Sequence, residues 1–179
     1  MVHMSRECRL DPIGERKRYE THENDSGDPG YRRFLARLAD PLVALLSPGA
    51  TGLDYGSGPG PTLSVMLEEK GFLMSIYDPF FAPDRAALSR TYDFITCTET
   101  VEHFFDPGDE FERLSGLLRS GGRLALMTEI LGAQEFDQWR YVRDATHVSF
   151  YRSTTMEWLA SHFGWSIERP EATVVFFKK

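Results

Sequence analysis

Asp54-Tyr55-Gly56-Ser57-Gly58-Pro59-Gly60 separates a short apolar run from an amphipathic one. Gly52 to Tyr55 reads as a strand, and Thr62 to Lys70 reads as a helix with Gly71 at its C-cap. Glycines between a strand and a helix let the backbone come within contact distance of a ligand. The spacing is not the dinucleotide fingerprint G-x-G-x-x-G, which requires glycine where this chain has Pro61. Instead an acid, Asp54, stands two residues before the first glycine, which suits a cationic ligand rather than a pyrophosphate. Asp78 closes the next strand, 20 residues beyond Gly58. A carboxylate at that place can accept hydrogen bonds from the two ribose hydroxyls of a nucleoside.

Working outward, Phe72 to Tyr77, Tyr92 to Thr98 and Arg123 to Thr128 read as further strands. Asp109 to Leu118 and Thr154 to Phe163 read as helices, and Ser120-Gly121-Gly122 as a turn. Trp165 to Glu168 and Thr173 to Phe177 are four residues apart and predict an antiparallel hairpin. Strands alternating with helices predict an α/β fold with a Rossmann-like, mostly parallel sheet, helices on both faces and a C-terminal antiparallel hairpin. Ligands of such sheets bind beyond the carboxyl ends of the strands. Upstream, Asp11-Pro12 and Asp28-Pro29 each start a helix. In the second of these, Asp40-Pro41 is expected to kink or restart the chain. Trp158, Trp165 and the Phe104-Phe105 pair read as core, and Phe176 and Phe177 as core or interface.

Asp54 to Gly60, Asp78, Tyr92-Asp93 and Leu118-Arg119-Ser120-Gly121-Gly122 resemble the ordered motifs of class I S-adenosylmethionine-dependent methyltransferases, over roughly residues 50–179. A closer resemblance lies in Tyr19-x-x-His22-x-Asn24, Asp28-x-Gly30-Tyr31, Phe34-Leu35 and Tyr77-Asp78-Pro79-Phe80-Phe81, which look like a bacterial subgroup of small methyltransferases. Related members carry a cysteine-rich zinc-binding segment in front, which this chain lacks. The resemblance implies S-adenosylmethionine as cofactor. It implies that Asp54, Gly56, Ser57 and Gly58 meet the methionine part, and that Asp78 holds the ribose. Pro79 and Phe80 pack near the adenine, and Thr98 and Glu99 line the sulfonium side. Tyr19 and His22 fold over the amino-acid end of the cofactor, or simply pack on the sheet. It divides the chain into a helical segment at 1–49 covering the cofactor and a cofactor-binding domain at 50–179. One departure is expected. Only 13 residues separate Asp78 from Tyr92, so a strand usual in the family is missing or vestigial.

Two polar clusters fall at loops on the ligand-binding side. If a helix begins at Glu99, then Glu99, Glu102 and His103 share one face. Two carboxylates and an imidazole can bind a divalent cation, and the set resembles the E-x-x-E-H metal site of small-RNA 2′-O-methyltransferases, with His147 a further ligand. The alternative, which we favour, has no metal there. The second cluster is Trp139-x-Tyr141-x-x-Asp144-x-Thr146-His147. His147 or His103 is the candidate general base, with Asp144 orienting His147.

The 179-residue chain is 41% hydrophobic and 26% charged, a globular composition, and its net charge is −7. An acidic chain disfavours nucleic acid and anionic lipid as partners and favours a small-molecule acceptor. No apolar run reaches the roughly 20 residues of a membrane span. Cys8 and Cys97 form no CxxC pair, consistent with a reducing, cytoplasmic setting. Two other readings use the same residues: a non-catalytic S-adenosylmethionine-binding partner subunit, and a metal-assisted O-methyltransferase of an RNA end. A nicotinamide-dependent reductase is opposed by Pro61 and Asp54.

Overall fold

A computed structural model describes residues 1–21 and 24–179. In chain order it contains β1 (Val2–His3), α1 (Pro12–Tyr19), α2 (Pro29–Val43), β2 (Thr51–Tyr55), α3 (Thr62–Glu68), β3 (Leu73–Tyr77), β4 (Tyr92–Thr98), α4 (Pro107–Leu117), β5 (Leu118–Met127), β6 (Ile130–Leu131), β7 (Ser149–Arg152), α5 (Ser153–Phe163), β8 (Ser166–Glu171) and β9 (Val174–Lys178). The main sheet has the order β3-β2-β4-β5-β9-β8. Its first four strands run parallel, and β9 and β8 close it as an antiparallel hairpin. This is the doubly wound architecture that strand–helix alternation implies. β3 is an edge strand, with Leu73 64% exposed. As the short interval from Asp78 to Tyr92 predicts, no further strand stands beside β3 among the described residues: the chain between β3 and β4 holds a 3-10 turn, Arg85–Ser89, and a single bridge between Asp78 and Ala82.

Period-two alternation sends successive strand residues to opposite faces. Ile95, Cys97, Leu124, Leu126 and Phe177 pack with Phe111 and Leu114 of α4 and Met156 and Leu159 of α5. Phe94, Ala125, Met127 and Phe176 pack with Leu35, Leu38 and Leu42 of α2 and Leu63 and Leu67 of α3. Phe176 and Phe177 therefore both belong to the core, one to each layer. Asp11 and Asp28 cap α1 and α2, accepting from the Gly14 and Gly30 N–H groups at 2.8 and 2.7 Å.

Several expectations are corrected. α2 runs through Pro41 without a restart: the proline forgoes one bond, the one its N–H would give to the carbonyl four residues back, and only two helical residues follow it. Ser120-Gly121-Gly122 lies within β5, at a bulge opposite Tyr92–Phe94, with Gly121 at φ +78°. No helix begins at Glu99; only a 3-10 turn, Val101–His103, forms there. The loop after β5 is partly ordered into a small sheet, β1-β7-β6, over an apolar cluster of Leu131, Trp139, Tyr141 and Phe150. Trp158 is 59% exposed and stacks on His162, whereas Trp165 and Phe104 are buried.

Candidate functional site

A cavity of about 670 Å³ opens over the carboxyl ends of β2, β3 and β4. Its floor is the glycine loop. The Gly56 N–H donates to the Tyr77 carbonyl at 2.8 Å, and the Gly58 N–H donates to Asp78 Oδ2 at 2.9 Å. Gly56 has φ +80°, and a Cβ there would fall 2.2 Å from the Thr100 side chain. Asn24 lies so close above Gly60 that a Cβ would meet its carbonyl oxygen at 2.2 Å. Only glycine permits both approaches.

Two acids flank this loop. Asp54 is 4% exposed and accepts from Thr96 Oγ1 at 2.9 Å and Ser64 Oγ at 3.2 Å. Burial pushes its pKa up to about 6 despite those two bonds, with the nearby charge of Asp78 adding to the rise. Asp78 Oδ1 accepts from the Phe80 and Phe81 N–H groups at 2.8 and 3.0 Å, which bends the chain after β3. That turn sets Pro79, Phe80 and Phe81 on the cavity wall. Ser57 Oγ and Thr98 Oγ1 are buried at the cavity with no hydrogen-bond partner among the described residues. Buried hydroxyls are normally satisfied, so two orphans on residues that line one cavity mark a place where a polar ligand belongs.

The N-terminal helices form the roof. Glu15, Tyr19, Asn24, Tyr31, Phe34 and Leu35 line the cavity. The Tyr19 hydroxyl donates to Glu15 Oε1 at 2.7 Å, and its ring packs on Phe80 and His103 at centroid distances of 5.7 and 5.2 Å. Arg18 reaches across to Asp144 at 2.7 Å. His22 lies outside the described residues.

The β4 side of the cavity holds the second cluster. Glu99 has φ +48°, the left-handed region, alone among the described non-glycine residues. Its side chain faces the open cavity. The enclosing walls and the charges of Glu102 and Glu129 push its pKa up to about 8. Glu102 is completely buried and accepts from the Tyr141 hydroxyl and from Thr128 Oγ1, at 3.0 Å for the latter. Burial raises its pKa as well. His103 Nδ1 lies 3.0 Å from the Thr146 carbonyl, and His147 Nδ1 lies 2.7 Å from the Tyr141 carbonyl. A bond to a carbonyl fixes Nδ1 as the protonated nitrogen, so the neutral His147 ring presents Nε2 as an acceptor. Burial holds the His147 pKa below its ordinary value. Glu102, His103 and His147 each offer a ligand atom within 4.8 Å of the other two.

The cluster thus assembles differently from its reading in sequence. Glu99 stands apart from the set formed by Glu102, His103 and His147, because the 3-10 turn starts after it. Asp144 does not hold the His147 ring. Its carboxylate accepts from Arg18, from Thr146 Oγ1 at 2.7 Å and from the Thr146 N–H at 3.0 Å. Burial opposes ionisation there, yet the Arg18 and Thr146 donors keep the Asp144 carboxyl well below the usual carboxylate range. Sequence reasoning gave no role to Tyr141, Thr128, Arg18 or Glu15. Tyr141 stood within a recognised polar stretch; the other three carry no local signal, since long-range packing alone brings them to the cavity.

A family described as a methyltransferase domain matches residues 29–169. No curated protein sequence matches the chain. Solved structures with the same fold include the Burkholderia thailandensis 1,6-didemethyltoxoflavin-N1-methyltransferase, solved with its substrate and S-adenosylhomocysteine. It is 17% identical with a TM-score of 0.63, over 95% of this chain and 91% of that one. The magnesium protoporphyrin IX methyltransferase of Synechocystis PCC 6803, with bound S-adenosylhomocysteine, is 14% identical with a TM-score of 0.57, over 93% of this chain and 94% of that one. A methyltransferase of calicheamicin biosynthesis, in its S-adenosylhomocysteine-bound form, is 15% identical with a TM-score of 0.55, over 82% of this chain. The present chain spans about half, 53%, of that protein's length.

Proposed function

The chain belongs to the methyltransferase-domain family, one of the class I S-adenosylmethionine-dependent methyltransferases, and from that premise we propose that it methylates a small-molecule acceptor. The observation that carries this reading is the pair of buried, unpartnered hydroxyls, Ser57 Oγ and Thr98 Oγ1, at one cavity over a glycine loop flanked by Asp54 and Asp78. When bound, S-adenosylmethionine supplies an electrophilic methyl group on a sulfonium.

The residues fit that cofactor. Asp78 and Phe80 suit its nucleoside end. Gly56, Ser57 and Gly58 bring backbone and hydroxyl groups to its methionine end, where Asp54 adds negative charge. Thr98 and Glu99 suit the sulfonium, and Pro79 narrows the adenine side. α1 and α2, with Tyr19 facing Phe80 and His103, roof the cavity and exclude water. His147 is the proton acceptor this arrangement favours: burial keeps it neutral, Tyr141 fixes its tautomer, and the Glu102 charge steadies the imidazolium that forms. His103 lies 5.0 Å away, ring to ring, and orients the same wall. Asp144 serves the roof, anchoring Arg18.

Calorimetric titration with S-adenosylhomocysteine tests the reading. The intact chain is expected to bind it, and Asp78→Ala to lose binding. No binding by the intact chain would overturn the proposal.

A further inference from the structure

On the β4 side of the cavity, hydrogen-bond acceptors outnumber donors. Glu99 and Glu102 contribute carboxylates, each with about four acceptor sites. Glu102 receives two hydroxyl donors, which leaves acceptor capacity over. Thr98 Oγ1 is buried and unpartnered among the described residues. His147, with Nδ1 tied to the Tyr141 carbonyl, offers Nε2.

Cations are scarce there. Arg113 lines the cavity, but it is bound to Glu110 and the Tyr55 hydroxyl. Arg18 is bound to Asp144 and Arg140 to Glu129. Neither Glu99 nor Glu102 forms an ion pair among the described residues. The wall therefore holds two carboxyl groups with no ion-pair partner among the described residues, and a bound cation would favour their ionised form.

Resting on the methyl-transfer reading above, we propose that the acceptor enters as a protonated amine whose ammonium group is received by Glu99, the exposed carboxyl of this wall. An ammonium carries one positive charge, three N–H donors and no acceptor, which complements this wall in both charge and hydrogen bonding. A carboxylate or phosphate beside the reacting atom would meet repulsion from Glu99 and Glu102, and a neutral alcohol brings one donor and no charge. Burial, with the Glu102 and Glu129 charges adding to it, raises the Glu99 pKa, and a bound ammonium would bring it down. Before it can act as a nucleophile, the ammonium must give up one proton. One N–H bond breaks, an Nε2–H bond forms on His147, and the electron pair stays on the amine nitrogen.

The test uses the full chain in two stages. S-adenosylhomocysteine is titrated first; its failure to bind overturns the methyl-transfer reading and this inference with it. The saturated complex is then titrated with tyramine, para-ethylphenol and para-hydroxyphenylpropionate, which share a ring and a two-carbon arm and differ chiefly in end-group charge. Tyramine is expected to bind at least tenfold more tightly than the neutral phenol, with the acid weakest. In Glu99→Gln, tyramine is expected to lose most of that advantage while the phenol is unaffected. Equal binding of the three, preference for the acid, or no binding of the amine would overturn the inference alone. So would saturable Mn²⁺ binding without any amine preference, which would assign the same acceptors to a metal.

Discussion

Asp54 illustrates how one buried acid ties stability to ligand binding. Its folded pKa, about 6, lies above the ordinary aspartate value, so folding favours the protonated form. Its contribution to stability is fully present below about pH 4 and is lost as pH rises through about 6, a change of up to about 3 kcal/mol. Asp54→Asn, which keeps an acceptor for Thr96 and presents its NH2 to the Ser64 hydroxyl oxygen, is expected to flatten that part of the stability profile. Melting temperatures measured across the range should favour the variant at about pH 8 and show no gain at about pH 4; parallel profiles would contradict the assignment. Gly56→Ala meets both a positive φ and the Thr100 side chain, and should cost about 1–3 kcal/mol in denaturant titration. Tyr141→Phe leaves the carbonyl that holds His147 but removes a donor from the buried Glu102. A loss of about 1–3 kcal/mol is expected, with the His147 ring unmoved in its NMR signals. The loop glycines and Asp78 could be read from local spacing. Tyr141 could not, because its role depends on a contact with Glu102 made 39 residues away in the chain.

At the scale of elements, α1 is held to the body through few contacts. It is a polar helix whose attachments include Tyr19 on Phe80 and His103, Arg16 over the Phe81 ring, the buried Glu15, and the Arg18–Asp144 pair. A partly exposed ion pair contributes below about 1 kcal/mol, so Arg18→Ala should barely move global stability. Local opening is another matter, since loosely attached segments unfold on their own. Limited proteolysis of Arg18→Ala is expected to cut faster near α1, and S-adenosylhomocysteine to restore protection. Unchanged cleavage would show that α1 does not depend on this clasp. Helix starts and the bounds of β3 and β4 were readable because Asp-Pro starts, glycine stops and apolar runs are local signals; the start of β5 was not, because Gly121 and Gly122 lie in a bulge rather than a turn. Trp158 was misread for a periodic reason: the buried stripe of α5 is Met156, Leu159 and Ala160, and two residues past Met156 lies the opposite face. The supposed helix at Glu99 failed because a left-handed residue cannot open one.

Across the whole molecule, the chain carries a net charge of −7, and the cavity walls share its sign. No helix among the described residues is long and apolar enough to cross a membrane. The mostly parallel sheet with its closing hairpin and the loss of a strand beside β3 were both readable from the alternation of elements and the short Asp78–Tyr92 interval. The roof over the cavity was not, since it depends on how α1 and α2 fold back on the sheet. Which cofactor that roofed cavity takes decides what the molecule does. The most direct measurement is a side-by-side calorimetric titration of the full chain with S-adenosylhomocysteine and with NADH. Saturable one-to-one binding of S-adenosylhomocysteine, competed by S-adenosylmethionine and not by NADH, is the predicted result. Saturable NADH binding with none of S-adenosylhomocysteine would contradict the account.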